Sequence, residues 1–219
     1  MRNTNVLLTG AGFAFEKMGS PVFVVGPARS GTTTVAHFLA SELCLACSPE
    51  TNVLAILKRT DALEMTFKEF CVRQDEFLMH GKQRPYSILF PAELMSKKIS
   101  ENMRAIADLI ISMDSYCQGE RMLEQTPRNG EHLGLLREIY PDALIVFVVR
   151  NPFDVMQSRL QTPWGTKSRL VLFCNWALQY IELLVLCEKV GRSRLILVRY
   201  SKLESATYRS HICLSLIHI

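Results

Sequence analysis

The stretch Pro21-Val-Phe-Val-Val-Gly-Pro-Ala-Arg-Ser-Gly-Thr-Thr-Thr34 decides the fold of this chain. Val22–Val25 is an unbroken apolar run and predicts a buried parallel strand. Gly26–Gly31 predicts a tight loop, and Thr32–Ala40 predicts the start of a helix. Backbone N–H groups at a helix start are unpaired and carry the positive end of the helix dipole. The strand, loop and helix together therefore predict a phosphate site.

The loop carries its positive charge at an unusual place. It fits the Walker A pattern Gly-x4-Gly-x-Thr, except that Thr32 stands where a P-loop nucleotidase has lysine. Arg29 supplies a cation before the second glycine instead. The side chains of Ser30, Thr32 and Thr33 add hydrogen-bond donors. The pattern therefore favours an anion-binding loop of another class.

The Arg-Ser-Gly-Thr-Thr segment resembles the 5′-phosphosulfate loop of sulfotransferases that use 3′-phosphoadenosine 5′-phosphosulfate (PAPS). The resemblance implies that PAPS is held by Arg29, Ser30, Gly31, Thr32 and Thr33. It also implies an α/β fold, in which a parallel β-sheet is flanked by helices as in P-loop NTPases. Enzymes of this family move a sulfuryl group to a hydroxyl or an amine without a metal.

A second candidate anion site follows the predicted strand Ala143–Val149. Ligands of parallel sheets bind at the carboxyl ends of strands, which is where Arg150 stands. Pro152 predicts a helix start, and Ser158 lies about two turns along that helix. The separation of Arg150 and Ser158 resembles that of the 3′-phosphate site of sulfotransferases. An ion pair between Arg150 and Asp154 is the structural alternative.

Further motifs of the family occur in the expected order along the chain. Glu124-Gln-Thr-Pro127 resembles the Glu-Lys-Thr-Pro segment of the prokaryotic-type and tyrosylprotein-type branch, with Gln125 in place of lysine. Tyr140-Pro-Asp-Ala143 and Val198-Arg-Tyr-Ser-Lys-Leu203 also match. The resemblance therefore covers Pro21–Leu203 and implies a PAPS-dependent sulfotransferase of that branch.

Sulfuryl transfer needs a group that stabilises charge on the bridging oxygen and a base that takes the acceptor's proton. Arg29 is the candidate for the first role. Glu50 lies where the tyrosylprotein-type enzymes have their catalytic glutamate, although a helix-capping or solvated carboxylate is an alternative role. Glu124 and His132 are the reserve candidates for the base. Tyr200 is expected to hold part of the adenine, because threonine replaces the adenine-stacking tryptophan of the cytosolic branch.

Composition narrows the class of protein. A chain of 219 residues, 48% of them hydrophobic, suits one globular α/β domain. A net charge of +4 without a basic run suits a small anionic ligand rather than nucleic acid. Seven scattered cysteines indicate a reducing compartment, so we expect a cytoplasmic protein. No metal is predicted, because Cys44-Leu-Ala-Cys47 has no partner pair at zinc spacing.

No transmembrane segment is predicted. Val6-Leu-Leu8 is too short for a signal peptide or an anchor. Leu170–Cys187 is long and apolar, but polar residues interrupt it at helical spacing, which predicts a buried amphipathic helix. The acceptor pocket is expected around residues 52–117, but these residues do not indicate the acceptor class. The sequence also leaves the oligomeric state open.

The predicted organisation is a lead segment over residues 1–20, a sulfotransferase domain over residues 21–209 and a non-native tail over residues 210–219. Members of the family continue into further helices and a basic segment that completes the 3′-phosphate site. The domain is therefore expected to be incomplete at its C-terminus. Cys213–Ile219 resembles a translated sequencing adapter, so residues 210–219 are expected to make no specific contact.

Two other functions stay open. A P-loop kinase would need a Mg²⁺-binding carboxylate and a phosphate-binding lysine, neither of which the sequence places. A truncated, non-catalytic fragment would bind a nucleotide without turnover. A Rossmann dinucleotide site at Asn5–Gly12 is disfavoured, because Phe15 stands where the third glycine belongs and no acidic residue follows at the required distance.

Overall fold

The computed structural model describes residues 20–58, 64–66, 68–69, 98–101, 103–104, 106–108, 121–163, 165–190 and 194–217. Within them, five parallel strands form one sheet in the order β2-β3-β1-β4-β5. The strands are β1 Val22–Val25, β2 Ala46–Cys47, β3 Met122–Glu124, β4 Leu144–Val149 and β5 Leu195–Arg199. The helices are α1 Thr32–Leu43, α2 Val53–Leu57, α3 Leu133–Ile139, α4 Pro152–Leu160, α5 Arg169–Val190 and α6 Ala206–Ile217, with 3₁₀ turns at Pro127–Glu131 and Tyr200–Lys202.

The central strand β1 pairs with both β3 and β4, so Val22 lies between Leu123 and Leu144. All four residues of β1 are buried. A strand covered on both faces needs apolar side chains at every position, which explains the unbroken run in the sequence. The predicted α/β fold, a parallel sheet flanked by helices, is confirmed.

Alternate residues of the central strands β1 and β4 pack in two separate apolar cores, one on each face of the sheet. Phe23, Ile145 and Phe147 belong to one core, together with side chains of α2, α3 and α5. Val24 and Val146 belong to the other, together with side chains of α1 and α6. The two layers of helices therefore fix the sheet from both sides, and they leave the carboxyl ends of the strands open.

Several sequence predictions fall wholly or partly outside the described residues. These are the lead segment up to residue 19, the Asn5–Gly12 motif, and most of the acceptor region over residues 52–117. The predicted strand at 143–149 is confirmed with a start shift of one residue, and the predicted strand at 22–25 is confirmed with the same bounds. Helices predicted after residues 31 and 151 are also present.

The prediction of a buried amphipathic helix at Leu170–Cys187 is wrong for one side of α5. Gln179 and Leu183 face the interior, whereas Ile181 and Leu184 are 53% and 65% exposed. The sheet can cover only one side of a helix that is apolar all round, which is why the other side stays in solvent. By length and composition alone, Arg169–Glu188 could also cross a membrane.

The expectation that residues 210–219 make no specific contact is wrong for Ile212. This residue is 4% exposed and lies in the core that α1 and α6 share, and Cys213 packs beside it. Leu214, two positions further along α6, is 49% exposed. Part of α6 is therefore a packed element of the described fold, and the non-native origin of the tail stays a prediction.

We expect Ile212→Ala to lower the free energy of unfolding by about 2–4 kcal/mol, because it removes buried methyl groups and leaves a cavity. Leu214→Ala is the matched control on the same helix and should change stability by about 0.5 kcal/mol or less. Urea denaturation followed by circular dichroism measures both. Equal stability of the two variants would show that α6 contributes no core packing.

Candidate active site

A cleft of about 630 Å³ opens at the carboxyl end of the sheet. A residue that follows each of the five described strands lines this cleft. These residues are Arg29, Glu50, Pro127, Arg150 and Tyr200. Side chains of α4 and α5 form the remaining wall. Because parallel strands end at one edge, the topology alone gathers these distant segments into one site.

The loop between β1 and α1 has the geometry of an anion cradle. Gly31 precedes α1 with a φ of 97°, and a Cβ at Gly26 would lie 2.8 Å from the Val148 carbonyl oxygen. Arg29 adopts a φ of 75°, which is unusual for a residue other than glycine. The Ser30 hydroxyl is buried with no hydrogen-bond partner among the described residues. Thr32 and Thr33 line the cleft.

The two predicted anion sites are joined by direct hydrogen bonds. Arg29 Nε donates to Ser158 Oγ over 3.1 Å. Arg150 Nη1 donates to the Arg29 carbonyl oxygen, also over 3.1 Å. No ion pair between Arg150 and Asp154 forms among the described residues, so the structural alternative for Arg150 is not observed. The structure thus places both candidate anion-binding arginines in one network.

Tyr200 supports this network from β5. The Arg150 guanidinium carbon lies 4.6 Å from the centre of the Tyr200 ring. The ring edge fills the space beside Gly31, since a Cβ there would lie 2.1 Å from Tyr200 Cε2. The ring therefore lies between Arg150 and the loop that joins β1 to α1, and a contact with adenine stays a prediction.

Glu50 lines the cleft on the side of Arg29. Burial raises the pKa of its carboxyl above the ordinary value, and the charge of Arg29 offsets part of that rise. The loop that carries Glu50 is held at both ends, because Ser48 N donates to the Leu123 carbonyl and Thr51 Oγ1 donates to Glu124 Oε1 over 3.0 Å. Glu50 is therefore an exposed carboxylate at the cleft, and the charge of Arg29 acts on it.

The two reserve candidates for the base do not line the cleft. Glu124 is 1% exposed and accepts hydrogen bonds from Thr51, Thr126 and Asn129, while burial raises the pKa of its carboxyl. His132 lies 3.4 Å from Lys58 Nζ through Nδ1. Burial and then the charge of Lys58 lower the pKa of His132. Both groups contact other side chains rather than the cleft.

The cleft residues that were not identified from the sequence include Arg128, Glu131, Arg159, Trp176 and Gln179. Gln179 is 3% exposed, and its Nε2 donates to Glu131 Oε1 over 3.2 Å. Arg128 Nη2 lies 3.3 Å from Glu131 Oε2. A glutamine within the apolar stretch of α5 was the available signal, because a polar side chain facing a core needs a partner. Among the described residues, no group of three or more His, Cys, Asp or Glu side chains is placed to hold a metal.

A model of the sulfotransferase family matches residues 21–209, so the chain belongs to this family. Two solved sulfotransferase domains share the fold. The domain from the Synechococcus PCC 7002 olefin synthase superposes with a TM-score of 0.60 at 22% identity, over 91% of this chain and 74% of that one. The domain from the curacin biosynthetic pathway superposes with a TM-score of 0.59 at 18% identity, over the same shares of the two chains.

This chain matches only part of two longer curated proteins. An uncharacterized protein of Aquifex aeolicus (strain VF5) is 25% identical over 151 residues, which are 67% of this chain and 18% of that protein. Nodulation protein NoeE of Sinorhizobium fredii (strain NBRC 101917 / NGR234) is 27% identical over 148 residues, 65% of this chain and 31% of NoeE. The matches thus span less than a third of each relative.

We expect Gly31→Ala to lower the free energy of unfolding by about 1–3 kcal/mol. Alanine is strained at the positive φ of this position, and its Cβ would displace the Tyr200 ring. Gly134→Ala is the control, since nothing lies within 4 Å of a Cβ there. It should leave stability unchanged or raise it by about 0.5 kcal/mol. Thermal unfolding compares the two, and equal behaviour would contradict the packing of Tyr200 on Gly31.

Proposed function

We propose that this protein is a PAPS-dependent sulfotransferase of the prokaryotic or tyrosylprotein-like branch that acts on a hydroxyl or amine acceptor. The observation that carries the proposal is the link between the two anion sites, in which Arg29 bonds to Ser158 and Arg150 bonds to the Arg29 backbone. A ligand phosphorylated at both ends of its ribose needs two such sites within one cleft. A single phosphate loop would not require Arg150 and Ser158.

The residues present fit this donor. Ser30 Oγ is a buried hydroxyl without a partner among the described residues, next to Arg29 and Gly31 of the cleft lining but not itself part of that lining. Hydroxyls in that state are normally satisfied by a ligand or water. Ser30, Gly31, Thr32 and Thr33 would hold the 5′-phosphosulfate at the start of α1, where backbone N–H groups are unpaired. Arg150 and Ser158 would hold the 3′-phosphate, and Tyr200 would contribute beside them.

The electrostatics of the cleft suit an anionic donor. Four arginines line it, Arg29, Arg128, Arg150 and Arg159, against the two carboxylates of Glu50 and Glu131. Glu131 is paired with Arg128, so part of the positive charge is already balanced. The remaining positive charge favours a polyanion at the end of the sheet.

Bound PAPS would supply the activated sulfuryl group. Arg29 would stabilise the negative charge that grows on the bridging oxygen, as preorganised cations do in related transfers. The Glu50 carboxylate would accept the proton of the acceptor at its oxygen. Its raised pKa makes it a stronger base, while it stays in reach of the cleft. Glu124 and His132 are less suited, because they lie outside the cleft lining.

The two alternative functions make different predictions for the same cleft. A P-loop kinase would bind ATP more tightly with Mg²⁺, whereas Thr32 replaces the lysine that such an enzyme uses. A non-catalytic nucleotide-binding fragment would bind the product nucleotide without turnover. The acceptor, the cytoplasmic location and the domain limits at 21 and 209 stay predictions, although the family match covers the same residues 21–209.

Binding of 3′-phosphoadenosine 5′-phosphate (PAP), the product nucleotide, tests the 3′-phosphate site. PAP should bind at least tenfold more tightly than AMP, because charge-assisted contacts contribute about 1.5–3 kcal/mol each. Arg150→Ala should remove most of that preference, and Arg169→Ala, which lies outside the cleft lining, should keep it. Isothermal titration measures all three proteins. Equal affinity for AMP and PAP in the unchanged protein would refute this assignment, and Mg²⁺-enhanced ATP binding would favour the kinase.

Turnover of PAPS with a panel of hydroxyl and amine acceptors tests the catalytic roles. Arg29→Ala should lower turnover by about 10²–10³-fold, with a smaller effect on PAP affinity, because PAP has no sulfuryl group. Glu50→Gln should also lower turnover and leave PAP binding nearly unchanged.

The pH profile separates the base from other roles. Glu50 must be ionised to accept a proton, so turnover should rise with pH through its raised pKa, and this limb should be absent in Glu50→Gln. Quenched-flow or coupled detection of PAP release measures the profile. Unchanged turnover in Glu50→Gln would show that another residue is the base. Glu124→Gln and His132→Ala would then be compared.

A further inference from the structure

The exposed side of α5 is apolar along most of its length. Its exposed residues include Leu170, Leu178, Ile181 and Leu184, which are 72%, 56%, 53% and 65% exposed. Leu170, Cys174, Ala177, Ile181 and Leu184 follow one another at spacings of four and three residues. This is the spacing of a seam that packs against a second helix.

The opposite side of α5 makes this surface rigid. Leu183 and Leu186 are each 5% exposed and pack in the core against the sheet, while Leu172 is 4% exposed and lines the cleft. Gln179 and Trp176, also away from the apolar seam, line the cleft. The seam is therefore held in one orientation, and its occupation would leave the cleft accessible.

The charges at the two ends of the seam have opposite signs. Arg169 is exposed at the first turn of α5, and Glu188 is exposed at the last. A parallel pair of these helices would bring like charges together. In an antiparallel pair, Cys174 would face Ile181 of the second copy, and Arg169 would lie within about one turn of its Glu188. The helix dipoles also oppose each other in this arrangement.

We propose that a second copy of this chain docks antiparallel on this seam and forms a two-fold symmetric dimer. A two-fold interface requires a surface that is complementary to itself, which an apolar centre with opposite charges at its ends provides. A lipid surface fits less well. Interfacial helices carry mostly Lys and Arg on their polar flanks, whereas Glu182 and Glu188 are exposed here.

The size of the seam sets the expected strength of association. Residues 170–185 span about 24 Å of helix, and a helix is roughly 10 Å wide. This is smaller than the roughly 800 Å² that each partner buries in a standard stable interface. The seam alone should therefore support a weak dimer that dissociates on dilution.

Sedimentation velocity from about 1 to 500 µM tests the proposal on the full chain, without PAPS or acceptor. A reversible monomer–dimer equilibrium is expected. Ile181→Glu should weaken it at least tenfold by placing a charge in the seam. Leu214→Glu, an exposed apolar residue on α6, should leave it unchanged. Circular dichroism confirms that each variant is folded, and the nucleotide titrations are read separately, so failure of one proposal does not imply failure of the other.

A charge exchange tests the antiparallel arrangement with variants that keep the seam intact. Arg169→Glu and Glu188→Arg should each weaken the dimer about threefold or more, and the double variant should recover most of the loss. A monomer at every concentration would overturn the proposal. So would failure of the double variant to recover, or flotation with phosphatidylcholine/phosphatidylglycerol vesicles that Ile181→Glu abolishes.

Discussion

The buried carboxylate of Glu124 is the interaction on which the shape of the cleft depends. It lies at the end of β3 and accepts hydrogen bonds from Thr51 in the loop that carries Glu50, and from Thr126 and Asn129 in the following turn. The Pro127 carbonyl of that turn accepts from Gly26 N at the start of the phosphate loop. A buried carboxylate is tolerated only when several donors surround it, so its burial forces three loops into fixed positions. The loop that carries Glu50 and the loop that carries Arg29 are therefore both tied to the turn that follows β3.

Arg29 connects the two halves of the site in a different way. Its backbone carbonyl accepts from Arg150 while its side chain donates to Ser158, so one residue bonds to both Arg150 and Ser158. The left-handed backbone at Arg29 is uncommon for a residue with a side chain, and such conformations persist only where the surroundings enforce them. Tyr200 supplies part of that enforcement, because it holds Arg150 from the other side. The loop that carries Arg29, the Arg150 side chain and the Tyr200 ring are thus held together by direct contacts.

The strands and the tight glycine loop were predictable from the sequence because both depend on local patterns. Unbroken apolar runs identified β1 and β4, and glycine spacing identified the loop. The sequence could place Arg150 and Ser158 near Arg29 only through topology and resemblance. The hydrogen bond between Arg29 and Ser158 spans 129 positions of sequence, and no local pattern encodes it. Trp176 was missed for the same reason, since its approach to the cleft depends on how α5 crosses the sheet.

The prediction that the helix at Leu170–Cys187 is buried was wrong on one side of α5 for a physical reason. Hydropathy reports how apolar a helix is but not which side a sheet will cover, so an all-round apolar helix was assigned to the interior. In the structure one side contributes Leu183 and Leu186 to the core, an adjacent part brings Gln179 to the cleft, and the remaining side meets solvent. The large apolar side chains on that third side are 39–72% exposed, and Phe173 among them stacks on Trp176 of the cleft lining. The three sides of α5 therefore have three different environments, and only the contacts of each side, not its hydropathy, distinguish them.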